Sequence, residues 1–539
     1  MAARGPNCGF SENSPTIAES NTARPSDLRV QLQQLDGEIA RVEDLLKELI
    51  HRRACVKKEI NKCSSPVLRI PPEISREIFL AYLRPNDPFT TYGIFDHSTT
   101  PFTLGSVCST WRELAWSMPL LWSSISFDLD HSTPSHAPLF DEWLSRSGRC
   151  PLALRLRCCH NIDQKPLRRT AVLEIMDVIA RFSKRWCHIQ FRLNVFCYEA
   201  LRTVQGRIPI LSTISMSSSN WMDSHPASQY APLEMFSIAP QLRKAEYHGF
   251  LPERIILPLD QLNTLSVKPL AVHNVLKLLD TSSQLAHGRF WLSDRTSTDS
   301  NHQVTAHLQS MEIHVTDHVE AFPSPFSSLL DHLSLPDVHE LSCTAWSYKP
   351  TSFPHLSFTS LISRSHCSLR KLSIIHFMFD QANLLSCLLA TPSLIELDLQ
   401  SDSITSDTIR MLNPTSPSNS VVAPLLPCLQ TLSIQSKSLF IDFIELHRLF
   451  STRWSPVHAS TSDHHVAQLG SVKIIGKNTW HPSELVLLEQ LVAEGMQVTL
   501  QTVDPDITWI NCYTREITCN ILMSENRLAN GVLVDSSAS

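Results

Sequence analysis

The densest chemistry-bearing stretch of this chain lies between Arg146 and Arg207, where thirteen lysines and arginines stand against Asp163, Glu174, Asp177 and Glu199. Planar guanidinium groups read carboxylates and phosphates through paired N–H donors. Arg155, Arg157, Arg168, Arg169 and Arg185 therefore form a candidate patch for an anionic target, with a plain solvated face as the competing explanation. The rest of the chain offsets the excess, because 46 basic and 52 acidic residues leave a net charge of −6. That total is too small to predict nucleic-acid or membrane-surface binding from bulk charge. No interleaving of basic and aromatic residues suggests a stacking platform for bases.

Other chemistry is sparse. There is no Gly-x-Ser-x-Gly elbow, no phosphate-binding Gly-x-x-x-x-Gly-Lys-Ser/Thr and no His-Glu-x-x-His. Cys158-Cys159-His160 is the tightest cluster of metal-ligand types, but adjacent ligands lack the spacing of zinc sites. The 24 histidines, His464-His465 among them, show no ligand spacing. No catalytic residue, metal or cofactor is assigned, and the remaining enzymatic alternative is a hydrolase whose residues converge from distant positions. The 15 cysteines are scattered, as small hydrophobes are in a reducing compartment. The opening Met-Ala-Ala-Arg-Gly-Pro-Asn-Cys lacks the apolar centre of a signal peptide. No apolar run approaches the ~20 residues of a membrane span. An intracellular location, cytoplasmic or nuclear, is expected.

The segment Val67–Trp122 carries three short helical patterns. Pro71 and Pro72 hold the chain extended and open a helix where a missing N–H is harmless. Ile74, Ile78, Phe79 and Leu83 then repeat at helical spacing. A second stripe runs through Leu104, Val107, Cys108, Trp111, Leu114 and Ala115, and a last helix or turn carries Leu120, Leu121 and Trp122. In order and type these anchors resemble an F-box, the module that docks a protein onto the Skp-family adaptor of a cullin–RING ubiquitin ligase. The family's opening Leu-Pro falls on Ile70-Pro71. The connection Arg84–Pro101 is longer than minimal versions of the module have. The resemblance implies adaptor contact by Ile70, Pro71, Pro72, Ile74, Ile78 and Phe79, together with Leu83, Leu104, Val107 and Cys108. It implies an interior built from Trp111, Leu114, Leu121 and Trp122.

Around this segment the chain divides by pattern. Residues 1–25 are polar, proline-bearing and aperiodic, and are expected to be disordered. Residues 26–63 should be one helix, capped by Ser26 or Asp27, with Leu32, Ile39 and Leu46 at a and Leu35, Val42 and Leu49 at d. Either a coiled coil or an amphipathic helix folded back on its own domain fits that seam. Residues 64–126 hold the F-box pattern.

From 127 to 500 a Leu-x-x-Leu-x-Leu motif recurs. Six copies are Trp186/Ile189/Phe191, Leu211/Ile214/Met216, Leu262/Leu265/Val267, Leu308/Met311/Ile313, Leu369/Leu372/Ile374 and Leu469/Val472/Ile474. Four more follow a proline, as Pro240 with Leu242, Pro336 with Val338, Pro392 with Leu394 and Pro427 with Leu429. Further strands are expected at Phe127–Leu129 and Pro151–Leu156. Helical stretches at 139–146, 272–279, 384–389, 443–450 and 485–492 alternate with these elements. Strand then helix at a period of roughly 20–40 residues is the signature of a leucine-rich-repeat solenoid. No asparagine ladder accompanies it, so the repeats are similar to the degenerate ones of fungal, mushroom-type F-box proteins. Residues 501–539 break the pattern and read as a partly disordered extension.

The expected fold class is α/β: a long N-terminal helix, a three-helix F-box, then an irregular solenoid of short parallel strands and helices. The function this layout implies is a non-catalytic substrate receptor, bound to the adaptor and ligase at one end and to a target protein at the other. The rival is a coiled-coil and repeat scaffold without ligase function. For residues 26–62, parallel pairing sets Glu38 against Glu43 and Arg52 against Lys57. Antiparallel pairing sets Glu38 near Arg52 and Asp36 near Lys57. Each exposed pair is worth only ~0.2–1 kcal/mol, enough to choose an orientation. If the helix self-associates, single cysteines at its N-terminal end should therefore cross-link poorly to each other, whereas efficient cross-linking would show a parallel pair.

Overall fold

The computed structural model describes residues 25–64, 66–83, 101–158, 166–218, 231–250, 254–293, 303–316, 324–346, 351–413, 425–436, 443–454, 466–476 and 482–502. Of the stretches expected to be disordered or partly so, 1–25 and 501–539, all but Pro25 and residues 501–502 lie outside these, as do the Arg84–Pro101 connection up to residue 100, Cys159-His160 and His464-His465. Two compact units are present, divided after Met118.

The first unit begins with α1 (Pro25–Ser64), a 40-residue helix. It starts at Pro25 and not at a Ser26 or Asp27 cap, because proline is pre-set for the first helical position. Every apolar position of its seam is exposed, Leu28 to Ile60 alike. At its far end the Arg69 Nη2 donates to the Cys63 carbonyl at 2.6 Å, satisfying a terminal acceptor. Three shorter helices follow: α2 (Pro72–Leu83), α3 (Pro101–Val107) and α4 (Ser109–Trp116). The stripe expected as one helix from Leu104 to Ala115 is thus broken. Cys108 adopts an extended conformation, and its Sγ accepts the Trp111 N–H as the N-cap of α4. Gly105 lets α3 approach α4, since a Cβ there would lie 2.2 Å from the Trp116 ring.

The second unit is a mixed α/β body built on one fourteen-stranded sheet. Its strands are Ser124–Asp128, Leu152–Arg157, Trp186–Leu193, Thr213–Ser218, Lys244–His248, Thr264–Leu270, His287–Leu292, Ser310–Val315, Glu340–Ala345, Lys371–Ile375, Glu396–Gln400, Thr431–Gln435, Ser471–Gly476 and Gln497–Thr502. They lie side by side in chain order. Each pair is parallel, as in Leu397 opposite Leu432 and Leu432 opposite Val472. All ten copies of the leucine motif lead into one of these strands.

Two strands escaped the motif. His287–Leu292 carries Gly288 where a leucine was sought; a Cβ there would meet the Phe290 ring at 2.7 Å, so glycine makes room for the larger neighbour. Gln497–Thr502 lies at the end of the pattern. The first strand ends at Asp128 and excludes Leu129, because the Asp128 carboxylate accepts the Asp130 N–H and turns the chain. Leu121 and Trp122 also belong to this unit and not to the helical interior expected for them. The Trp122 ring meets Trp143 edge-on at 5.0 Å, with the Arg146 guanidinium 5.1 Å above it.

Helices α5 (His136–Arg146), α6 (Pro166–Arg181), α7 (Val195–Ala200), α8 (Val272–Thr281), α9 (Pro325–His332), α10 (His355–Ser365), α11 (Gln381–Leu389), α12 (Ser406–Met411), α13 (Phe443–Trp454) and α14 (Pro482–Ala493) connect successive strands. They share one continuous core with the leucine face of the sheet, from Ile125 to Met496. Among the described residues, no helix is long and apolar enough to cross a membrane.

Arginines tie consecutive helices together. Arg453 on α13 is fully buried and donates to Leu412 O at 2.9 Å, Leu426 O at 3.0 Å and Leu425 O at 2.6 Å. Arg364 on α10 donates in the same way to Leu330 O at 2.7 Å and Leu333 O at 2.8 Å, at the end of α9. A cation at a helix C-terminus meets both unsatisfied carbonyls and the negative dipole end. Burial pushes the Arg453 guanidinium down to about 10, yet it stays charged near neutrality. Arg453→Met should lose ~2–4 kcal/mol, since the Leu412, Leu425 and Leu426 carbonyls each lose a donor, although Leu426 O still accepts the Leu429 N–H at 3.2 Å, and Arg453→Lys should recover only part. Urea unfolding measures this, and an unchanged midpoint in Arg453→Met would show that the clamp does not stabilise the fold.

Candidate functional site

In the helical unit, α2 sorts its residues by face. Ser75 and Phe79, one turn apart, are buried, and Phe79 meets Trp111 edge-on at 4.9 Å. Ile74, Ile78 and Tyr82, also one turn apart, are exposed, Ile74 by 52% and Ile78 by 46%. Pro71 and Pro72 are exposed beside them, and Ile70 is half-buried. The Pro71 carbonyl accepts the Ser75 N–H at 3.0 Å, which joins the proline pair to the first turn.

The ten residues expected to face an adaptor therefore divide. Pro71, Pro72, Ile74, Ile78 and Val107 lie on the surface, while Phe79 and Leu104 are buried in the helical unit. Cys108 is half-buried as the α4 cap, and Leu83 is the last residue of α2. Trp111 and Leu114 are only half-buried, with Ala115 fully so. Tyr82 and Phe102 were missed as exposed apolar residues. Tyr82 could have been found, as it falls four residues after Ile78.

The expected arginine patch is not one surface. Leu154 and Leu156 are buried on the helix side of their strand, so alternation sends Arg155 and Arg157 to the opposite face. Arg168 and Arg169 lie on α6, across the core from them, and Arg169 sits 5.2 Å over the Phe196 ring. Arg185 is structural. It donates to Cys150 O at 3.0 Å, to Leu144 O at 3.2 Å and to the Ser147 hydroxyl, closing the end of α5. Burial lowers both the Arg155 and Arg185 guanidinium groups from their ordinary value.

The sheet face opposite the helices is polar. The register lines its outward residues into rows that cross the strands. One row runs Asp128, Arg157, Arg192, Ser217, His248 and Lys268. Past a register shift between the sixth and seventh strands it continues through Trp291, His314 and Thr344. The Lys268 Nζ lies 5.5 Å from the centre of the Trp291 ring, and His314 stacks on that ring at 4.2 Å and 18°. The Trp346 Nε1–H donates to His314 Nδ1 at 3.0 Å, so the imidazole proton sits on Nε2. Nε2 in turn approaches Glu312 at 2.8 Å without the alignment of a full hydrogen bond. Arg289 binds the other Glu312 oxygen at 2.5 Å. Burial alone would raise the Glu312 carboxyl, but the His314 contact and the Arg289 charge outweigh it and hold the group low. Glu246 behaves alike beside His248, at 3.1 Å.

Sequence reasoning missed the rib of Trp291, His314 and Trp346 because its members lie on two neighbouring strands and just past the end of a third, and meet only through register. No family model matches the chain, and no curated protein matches it. Among the described residues, no group of three or more His, Cys, Asp or Glu could hold a metal ion. Two surfaces stand out among the described residues, an apolar stripe on α2 and a charged, hydroxyl-bearing sheet face.

A carboxyl held low in the fold stabilises it above its ordinary value of 4.5 and loses that contribution as pH falls through and below it. Glu312→Gln should thus cost about 0.5–1 kcal/mol at pH 7, allowing for its partial exposure. It should also flatten the fall of melting temperature between neutral pH and pH 4. Thermal unfolding at both pH values checks the sign; an equal loss at both would assign Glu312 no electrostatic role.

Proposed function

We propose that the chain is the substrate receptor of an SCF-type cullin–RING ubiquitin ligase. The helical unit would be an F-box bound to the Skp-family adaptor, and the sheet unit a degenerate leucine-rich-repeat solenoid that holds the target protein. The observation that carries the reading is the stripe of Ile74, Ile78 and Tyr82 beside exposed Pro71 on a short helical unit. Three apolar side chains left outside at helical spacing, while Phe79 on the same helix is buried, suit a partner's apolar groove. Strands in chain order, all parallel, with a shared core, support the repeat reading.

In this role the chain does no bond chemistry. It raises the target's effective concentration near the ligase-bound ubiquitin donor. The exposed seam of α1 keeps the scaffold reading as the second one, because a 40-residue helix with its apolar positions outside is equally suited to assembly.

Full-length chain should capture the Skp-family adaptor. Ile74→Asp with Ile78→Asp should weaken capture by at least about 100-fold, as each buried aliphatic contact is worth ~1.5–3 kcal/mol. Both positions are exposed, so helicity by circular dichroism should hold. No capture by the wild type would sink the receptor reading in favour of the scaffold, and full capture by the double variant would place the adaptor site elsewhere.

A further inference from the structure

We infer that the sheet face over the first seven strands is a docking site for an extended, multiply anionic segment of a protein partner, carrying acidic or phosphorylated side chains. The inference rests on the receptor reading only in calling that partner a ubiquitylation target.

Charge along the face is polarised. The outward positions of the first seven strands hold Arg155, Arg157, Arg192, Lys244, Lys268 and Arg289 against Asp128 and Glu246 alone. The next seven reverse the balance, with Glu312, Glu340, Glu396 and Asp398 against Lys371 and Lys473. An anionic segment is therefore drawn to the first half and repelled from the second. The boundary is the rib of Trp291, His314 and Trp346.

Dimensions agree with a short peptide. Strands lie about 4.8 Å apart, so the five strands from Arg155 to Lys268 span about 19 Å, the length of about six extended residues. Between the cations stand Ser215, Ser217 and Ser266, short side chains that leave the backbone of a bound segment close to the sheet.

A protein partner fits better than nucleic acid. Trp291, the aromatic ring of the rib nearest the cations, has Lys268 on the side of one neighbouring strand and His314 stacked from the other. A ring so flanked offers no plane to a base. Glu246, in the middle of the basic strands, would oppose a continuous phosphate chain but tolerates spaced carboxylates.

The test uses the full-length chain and four labelled probes at about 0.15 M salt: an Asp/Glu-rich decapeptide, its phosphoserine counterpart, a Gln/Asn decapeptide and a ten-nucleotide single-stranded RNA. Fluorescence anisotropy should show binding of at least one anionic peptide, and which one tells the source of the charge. The set Arg157→Glu, Arg192→Glu and Lys268→Glu should weaken it at least about tenfold. The neutral set, with glutamine at the same positions, gives the same direction if reversal impairs folding. Arg168→Glu with Arg169→Glu, across the core, should leave binding unchanged. Equal affinity for the reversed face, equal binding of the neutral peptide, or tighter binding of RNA would each overturn the inference. Adaptor capture is scored on the same samples. Its absence with face-dependent peptide binding retained would refute the receptor reading alone.

Discussion

A parallel strand leaves one face against the helices and the other against solvent, and a slip of one residue exchanges the two. The sheet unit repeats that condition fourteen times. Leu341, Leu372 and Leu397 stay in line because Glu340, Lys371 and Glu396 do, each pair locked by the same ladder. The buried row and the exposed row are therefore one constraint seen from two sides. Burying leucines toward the helices is what lines up arginines, serines and histidines on the other face.

The connections are under far less control. Helices between strands range from the 6 residues of α7 to the 16 of α6. What they hold in common is an apolar flank toward the shared core. At the ends of α5, α9 and α12, Arg185, Arg364 and Arg453 donate from the following segment, so these helices of different length each end against a fitted donor. A buried cation without a carboxylate partner is tolerable when several carbonyl dipoles surround it.

The strands were legible because period-two burial leaves a local trace. Leu372 and Ile374, or Leu432 and Ile434, announce a strand within a few residues. His287–Leu292 did not, since Gly288 trades its side chain for the Phe290 ring, a bargain visible only in space. Ile74 and Ile78 were found by helical spacing, but the same spacing could not say that Phe79 faces inward, because adjacent residues differ in face only once the packing is known. Arg185 looked like its neighbours in sequence and proved to be a helix clamp. Trp122 was grouped with the helical segment by proximity along the chain, whereas its ring partner is Trp143, twenty-one residues on. The rib of Trp291, His314 and Trp346 left no local trace at all.

The three arginine clamps share a direction. Arg185 reaches back 41 residues to Leu144, Arg364 reaches back 34 to Leu330, and Arg453 reaches back 41 to Leu412. Each donor follows the carbonyls it serves. A nascent chain leaves the ribosome from its N-terminus, so a helix such as α5, α9 or α12 emerges with its end exposed to water and stays so until the next unit has been translated. Completion of these three ends thus trails synthesis by about 34–41 residues, and a stalled ribosome would hold the newest of them unfinished while those behind it are closed.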